Sequence, residues 1–196
     1  MIEPSDSPPG SLRHTRLVPV TPNHYPMLYK WSTAPAASFR WRFHGGTPSP
    51  EQFNDALWSG VLCQFLVSDQ RSTPHGLVVC YGADQANGHA YVGVLGNINK
   101  SVGAAAMVGF VQLIDHVFDH WAFRKLYVDV AEYNLAEFHH GLQRHMELEA
   151  TLSEYLFHGG RYWDQLTFGL SRENYFGVVR NRFLPILTPT APREVA

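Results

Sequence analysis

Between Val61 and Asn97 the chain repeats one pattern three times: VLCQFLVSD, HGLVVCYG and HAYVGVLGN are short apolar runs of strand character, parted by the turn-forming pieces QRSTP and ADQANG. The period then changes. Ala104, Met107, Val108, Val111, Ile114 and Phe118 recur at helical spacing, with Gln112, Asp115, His116 and Asp119 on the opposite face, up to a stop near His120. Three strands with connections this short form an antiparallel meander, and a helix that follows them must cover the resulting sheet.

The flanks fill in the architecture. RHTRLVPV (Arg13 to Val20) alternates like a strand, and TPNHYPMLYKW follows as a helix with Thr21 as N-cap and Pro22 at its first position. SPEQFNDALWSG is a second helix, capped by Ser49, with Pro50 in its first turn and Gly60 at its end. After the long helix, KLYVDV (Lys125 to Val130) reads as a buried strand and NLAEFHHGLQRHM as a short helix from Asn134, weakened by Gly141. MELEATLSEYLFHGG and RYWDQLTFGLS are two strands joined through Gly159-Gly160, and RENYFGVVRNRF is one turn of helix followed by loose chain. The order predicts an α+β fold with a mixed central sheet of about seven strands and about four flanking helices. Residues 1–11 read as a Pro/Ser-rich leader, 12–183 as a single domain and 184–196 as a Pro-rich tail.

Composition narrows the function classes. With 196 residues the chain fits one domain, and 45% hydrophobic content excludes disorder over most of its length. Lys+Arg 15 against Asp+Glu 17 leaves a formal charge of −2, so no basic field exists to hold nucleic acid. Cys63 and Cys80 lie in strand-like runs with no flanking cation, which makes them structural thiols rather than nucleophiles or a disulfide framework. MIEPSDSPPGS has neither the basic nor the apolar region of a secretion signal, and VGAAAMVGFV is too short to span a bilayer. The expectation is a cytoplasmic protein with no membrane span.

The segment AYVGVLGNINKSVGAAA is a strand, a short loop and a helix start, and Lys100-Ser-Val-Gly103-Ala-Ala105 resembles the Gln/Arg-x-x-Gly-x-Gly/Ala loop of the GNAT superfamily of acyl-CoA-dependent N-acyltransferases. A helix start of this kind offers unpaired backbone N–H groups to a pyrophosphate, with small residues allowing close approach. Two further pieces carry the same resemblance in order: FRKLYVDVAEYN leading to Asn134, and LEATLSEYLFHGGRYWDQLTFGLSRENY, with Glu149, Leu152, Gly160 and Asp164 at the spacing of the family's closing hairpin. The likeness runs from about Leu12 to Tyr175 and is closest to the branch that acetylates ribosomal-protein N-termini.

What the resemblance implies is transfer of an acyl group from acyl-CoA to a primary amine by direct attack in a ternary complex. The co-substrate would contact the strand backbone at Val94, Leu95 and Gly96, the loop and helix start at Lys100, Val102, Gly103, Ala104 and Ala105, and the side chain of Asn134. The sequence also departs from the family. Tyr91 stands where many relatives have a glutamate general base, Gly141 where a tyrosine often serves as general acid, and His145-Met146 where Gly-Phe is usual. Either the base lies elsewhere, or a water relay is used, or the chain binds CoA or a partner without chemistry. A longer acyl-CoA or an acyl-carrier-protein thioester is the alternative donor.

Candidate chemistry can also be read from the residues. His89 and Tyr91 share one strand face by period two and line an acceptor pocket together or not at all. His139, just beyond Asn134, is a third candidate for proton transfer, with an imidazole that titrates near neutrality. In the loop SFRWRFHGG, Arg40, Trp41, Arg42, Phe43 and His44 suit an acceptor or acyl chain with an apolar body and an anionic group. Eleven histidines include one helical pair, His116 and His120, but no third ligand accompanies it, so no metal is expected. The chain is expected to be a monomer or a homodimer, with the FGVVRNRF segment as an exposed pairing edge.

Overall fold

The computed structural model describes residues 15–97, 104–138 and 142–187, without the side chains of 137, 138, 142 and 143. Lys100, Val102, Gly103, His139 and Gly141 therefore lie outside the described residues.

Seven strands form one sheet in the order β1-β2-β3-β4-β5-β7-β6: β1 Arg16–Pro19, β2 Val61–Ser68, β3 Pro74–Asp84, β4 His89–Gly96, β5 Lys125–Ala131, β6 Glu147–His158 and β7 Arg161–Ser171. The expected meander is present, since β2, β3 and β4 pair antiparallel with neighbours in sequence. Only the β4–β5 pair is parallel, and α4 (Ala104–His120) makes the crossover between them. Gly159 and Gly160, at φ +61° and +81°, turn β6 into β7 in the conformation that two-residue hairpins favour and that suits glycine best.

Two layers of helix cover the sheet. On one face, α4 buries Ala106, Phe110, Leu113, Ile114, Val117 and Phe118 against Val78, Ala90, Val92, Leu126 and Val128. Gly109 lets this helix sit directly on Val67, where a Cβ would collide with the valine side chain. On the other face, α1 (Tyr25–Thr33), α2 (Pro35–Ser38) and α3 (Pro50–Leu57) place Leu28, Trp31, Ala37, Phe53 and Leu57 on Leu66, Leu77 and Leu95. The α3 cap follows the sequence: Ser49 Oγ accepts from Gln52 N at 3.2 Å, and Gln52 Oε1 accepts from Ser49 N at 2.9 Å.

Two details differ from expectation. A further short helix, α2, follows α1 across Ala34 and Pro35, and a 3-10 turn, Glu132–Asn134, precedes the short α5, Leu135–Phe138. The segment after β7 is neither loose nor an edge: helix runs through α6 (Arg172–Asn174), a π turn at Tyr175–Val179 and α7 (Arg180–Leu187), so Leu184–Leu187 are helical. Long-range partners hold it there. Tyr175 is fully buried and donates to Asp115 Oδ1 at 2.7 Å, Arg180 Nε reaches the same oxygen at 2.7 Å, and Gln112 donates to Ile186 O at 3.3 Å. The C-terminal helix thus covers Gln112 and Asp115 on the polar face of α4, while Asp119 stays exposed, a division that periodicity alone could not reveal. The exposed edge on this side of the sheet is β6, with Leu148, Tyr155 and Phe157 open to solvent. No helix among the described residues is long and apolar enough to cross a membrane.

Candidate active site

The parallel strands β4 and β5 pair only at their beginnings. His89, Ala90 and Tyr91 face Lys125, Leu126 and Tyr127; beyond that level the strands part, although β4 stays paired with β3 as far as Gly96 and β5 with β7 as far as Ala131. One edge of β4 from Val92 to Gly96 and one edge of β5 from Val128 to Ala131 therefore lack strand partners. Backbone N–H and C=O groups left open in this way need partners of their own.

A cavity of about 860 Å³ fills the gap. It passes through the sheet, because its wall takes side chains from both faces of the parted strands: Val92, Val94 and Val128 with Met107 and Phe110 of α4, and Asp129 and Tyr81 with Trp41 of the helical layer. Asn134, in the turn after β5, lines the same space, and its Oδ1 is buried with no hydrogen-bond partner. A buried acceptor with no donor is costly unless something that binds supplies one.

An aromatic row runs beside the cavity on the α1–α3 side, and Tyr81, in the cavity wall, begins it. Tyr81 and Tyr91 lie with ring centroids 5.7 Å apart, Tyr91 and Tyr127 5.5 Å apart, and His89 stands 5.7 Å from Tyr127. Asp129 adjoins this row, and its Oδ1 accepts from Thr167 Oγ1 at 2.7 Å. Burial, and then the negative charge of Asp129, push the Tyr81 hydroxyl up to about 12; the same two causes raise Tyr91. Both tyrosines are therefore neutral donors at neutral pH. Counting on from the Tyr91–Tyr127 pair, Gly93 is the β4 residue level with Asp129, so that level has a carboxylate on one side and no side chain on the other. Trp41 rests over Gly93, its ring 3.6 Å from where a Cβ would stand.

The loop before α3 forms another wall, and its residues divide. Arg40, Trp41, Phe43 and His44 all line the cavity, His44 at an exposed position. Phe43 also packs on Phe53, with centroids 6.0 Å apart. Arg42 lines the cavity too but is also tied to α3: its Nη1 donates to Ala56 O and Leu57 O at 3.0 and 3.1 Å, closing the end of that helix, and burial lowers its pKa. Tyr133 Oη donates to Phe39 O at 3.0 Å, and Phe39 stacks on His158 at 4.2 Å, so the β6–β7 hairpin is tied to the end of α2 beside the cavity.

Of the residues singled out in the sequence, Val94, Leu95, Gly96, Asn134, Arg40, Trp41, Phe43 and His44 meet in this one cavity. Tyr91 and His89 share a face as expected but stand beside the cavity and not in its wall. Ala104 and Ala105 open α4, which reaches the cavity only from Met107 onward. Asp129 and Tyr81 were not anticipated. The alternation of KLYVDV puts Asp129 on the face of Lys125 and Tyr127, and the structure leaves it exposed there. His116 and His120 lie with ring centroids 4.1 Å apart, and among the described residues no three His, Cys, Asp or Glu side chains gather as a metal site.

Among solved structures the chain is similar to spermidine N-acetyltransferase from Vibrio cholerae in complex with CoA and spermine, with TM-score 0.74, 17% identity, and 83% of this chain and 98% of that chain covered. The spermidine/spermine N-acetyltransferase SpeG from the same organism, with manganese ions, gives TM-score 0.71 at 17% identity over 86% and 98% of the two chains. RimL, a ribosomal L7/L12 alpha-N-protein acetyltransferase in complex with coenzyme A, gives 0.67 at 16% over 81% and 94%. No protein-family model matches the chain, and no curated protein does. The chain has the GNAT acetyltransferase fold.

Proposed function

We propose that this protein is an acyl-CoA-dependent N-acyltransferase that moves an acyl group, acetyl first among the alternatives, to a primary amine by direct attack. The observation that carries this reading is the parting of β4 from β5, with an open strand edge at Val92 to Gly96 and the unpartnered Oδ1 of Asn134 facing one cavity. An extended arm with amide groups, such as the pantetheine of CoA, has the donors and acceptors these groups lack, and Gly93 leaves room for a thioester between the strands. The two CoA-bound structures of like fold support the same donor.

Asp129 is the carboxylate in the cavity wall among the described residues and the base we assign. The acceptor first gives one ammonium proton through Asp129 to solvent; the neutral amine then bonds to the thioester carbon, the nitrogen loses its second proton to Asp129, and as the C–S bond breaks that proton passes to the leaving thiolate. Thr167 holds the carboxylate in position through one oxygen, leaving the other for the proton. This answers the absence of a β4 glutamate at Tyr91: the acid stands on β5, across the gap. The size of the cavity and its apolar α4 side favour a longer acyl group as the second reading. A cytoplasmic setting suits a CoA-dependent reaction, and a second copy, if one binds, would pair through the β6 edge.

The test is calorimetric titration with acetyl-CoA, hexanoyl-CoA and an acyl-carrier-protein thioester, combined with thiol release in the presence of primary amines. Acyl-CoA binding with amine-dependent thiol release is expected. Failure of every acyl-CoA to bind would reject the reading, and release only from the carrier-protein thioester would move the donor.

A further inference from the structure

The acceptor can be narrowed from the chemistry of the cavity walls, an inference that rests on the acyl-transfer reading. Four features meet on the α1–α3 side of the gap. Tyr81 lines the cavity and heads a row of rings, Tyr91 and Tyr127, that continues along the sheet beside it. Asp129 stands where this row meets the cavity, fixed by Thr167. Trp41 and Phe43 give the covering loop an apolar, aromatic underside. The same loop brings Arg40 and Arg42 into the wall, so the site holds one carboxylate against two guanidiniums.

That balance separates classes of amine. A single ammonium gains from Asp129 and from Tyr81 beside it in the wall, and an aromatic or aliphatic body fills the space under Trp41. A polyamine must bring its second and third ammonium groups against Arg40 and Arg42, and like charges set together in a partly dry site cost affinity. We propose that the acceptor is a primary monoamine on an aromatic or apolar body, anchored through its ammonium by Asp129, and that the arginines of the 40–44 loop exclude polyamines. The chain would then differ in acceptor from the spermine-bound structure whose fold it shares.

The experiment is calorimetric titration of the full chain, with and without saturating CoA, using tyramine and spermidine as probes. Tyramine is expected to bind, with spermidine at least about tenfold weaker; Asp129→Asn should weaken tyramine by about tenfold or more, the usual size of a lost charge-assisted contact. Thr167→Val, which leaves the carboxylate but removes the hydroxyl that orients it, should cost about threefold and serves if the first variant does not fold. CoA affinity should be the same in all forms. No tyramine binding, equal binding to wild type and both variants, or tighter binding of spermidine would overturn the proposal. Failure of CoA to bind would instead count against acyl transfer, and the titration without CoA would still decide the amine site.

Discussion

The two faces of the same strands β4 and β5 have opposite characters. On the α4 face Ala90, Val92, Leu126, Val128 and Val130 are buried in the main core. One residue along, His89, Tyr91, Tyr127 and Asp129 stand on the other face, polar or aromatic and open in part. Strand geometry makes this possible, because successive side chains point to opposite sides. One segment of seven or eight residues thereby supplies the main core on one side and the polar part of the site on the other, and the two meet at the cavity, whose wall also takes Val92 and Val128. The lesson is that stability and chemistry are separable in this fold by residue parity: a change on the α4 face should unfold the protein, and a change on the open face should alter what it binds.

The strongest break of that comparison is expected on the closed face. Phe118 is fully buried against Tyr175, and Phe118→Ala should cost about 3–5 kcal/mol in chemical denaturation. On the open face, Gly93→Ala should do the reverse. The added Cβ meets Trp41 and Val79 at ordinary contact distance, 3.6 Å, so the fold accommodates it, while the methyl narrows the level across from Asp129. Acyl transfer should fall about tenfold, with the unfolding midpoint nearly unchanged.

A third change sharpens the comparison by pH. Burial, and next the hydrogen bond to Asp115, raise the Tyr175 hydroxyl above its ordinary 10. A group whose folded pKa is raised stabilises the fold fully below its unfolded pKa and loses that contribution as pH rises through the folded one. Thermal stability should therefore decline above pH ~10, and Tyr175→Phe should lower it by about 1.5–3 kcal/mol at neutral pH while weakening the alkaline decline. The smallest effect belongs to the open face again. Lys125 Nζ reaches Glu149 Oε1 at 2.7 Å near the surface, and Glu149→Gln should change stability by less than about 1 kcal/mol.

Much of the fold was legible in the sequence because local signals agreed with the tertiary result. The Ser49-Pro50 cap, the Gly159-Gly160 turn and the three alternating runs each specify their element without help from distant residues. The C-terminal helix was not legible in the same way, since its position depends on Tyr175 and Arg180 meeting Asp115, partners 60 and 65 residues away. The site divided along the same line. The β4 backbone and Asn134 followed from a resemblance of short segments, and the structure brings them to one cavity. Asp129 required the register between β4 and β5, which no local pattern encodes. Lys100, Val102, Gly103 and His139 lie outside the described residues, so the phosphate-binding loop remains the expectation drawn from the resemblance.

The central claim is that the opening between β4 and β5 receives the acyl-CoA arm. Amide hydrogen exchange with and without acetyl-CoA tests it directly, because the paired start of β4 and its parted remainder lie in one strand. Ligand should slow exchange at Val92 to Gly96 and leave His89 to Tyr91 unchanged. Slowing confined to other elements, or no change anywhere in β4, would contradict the account.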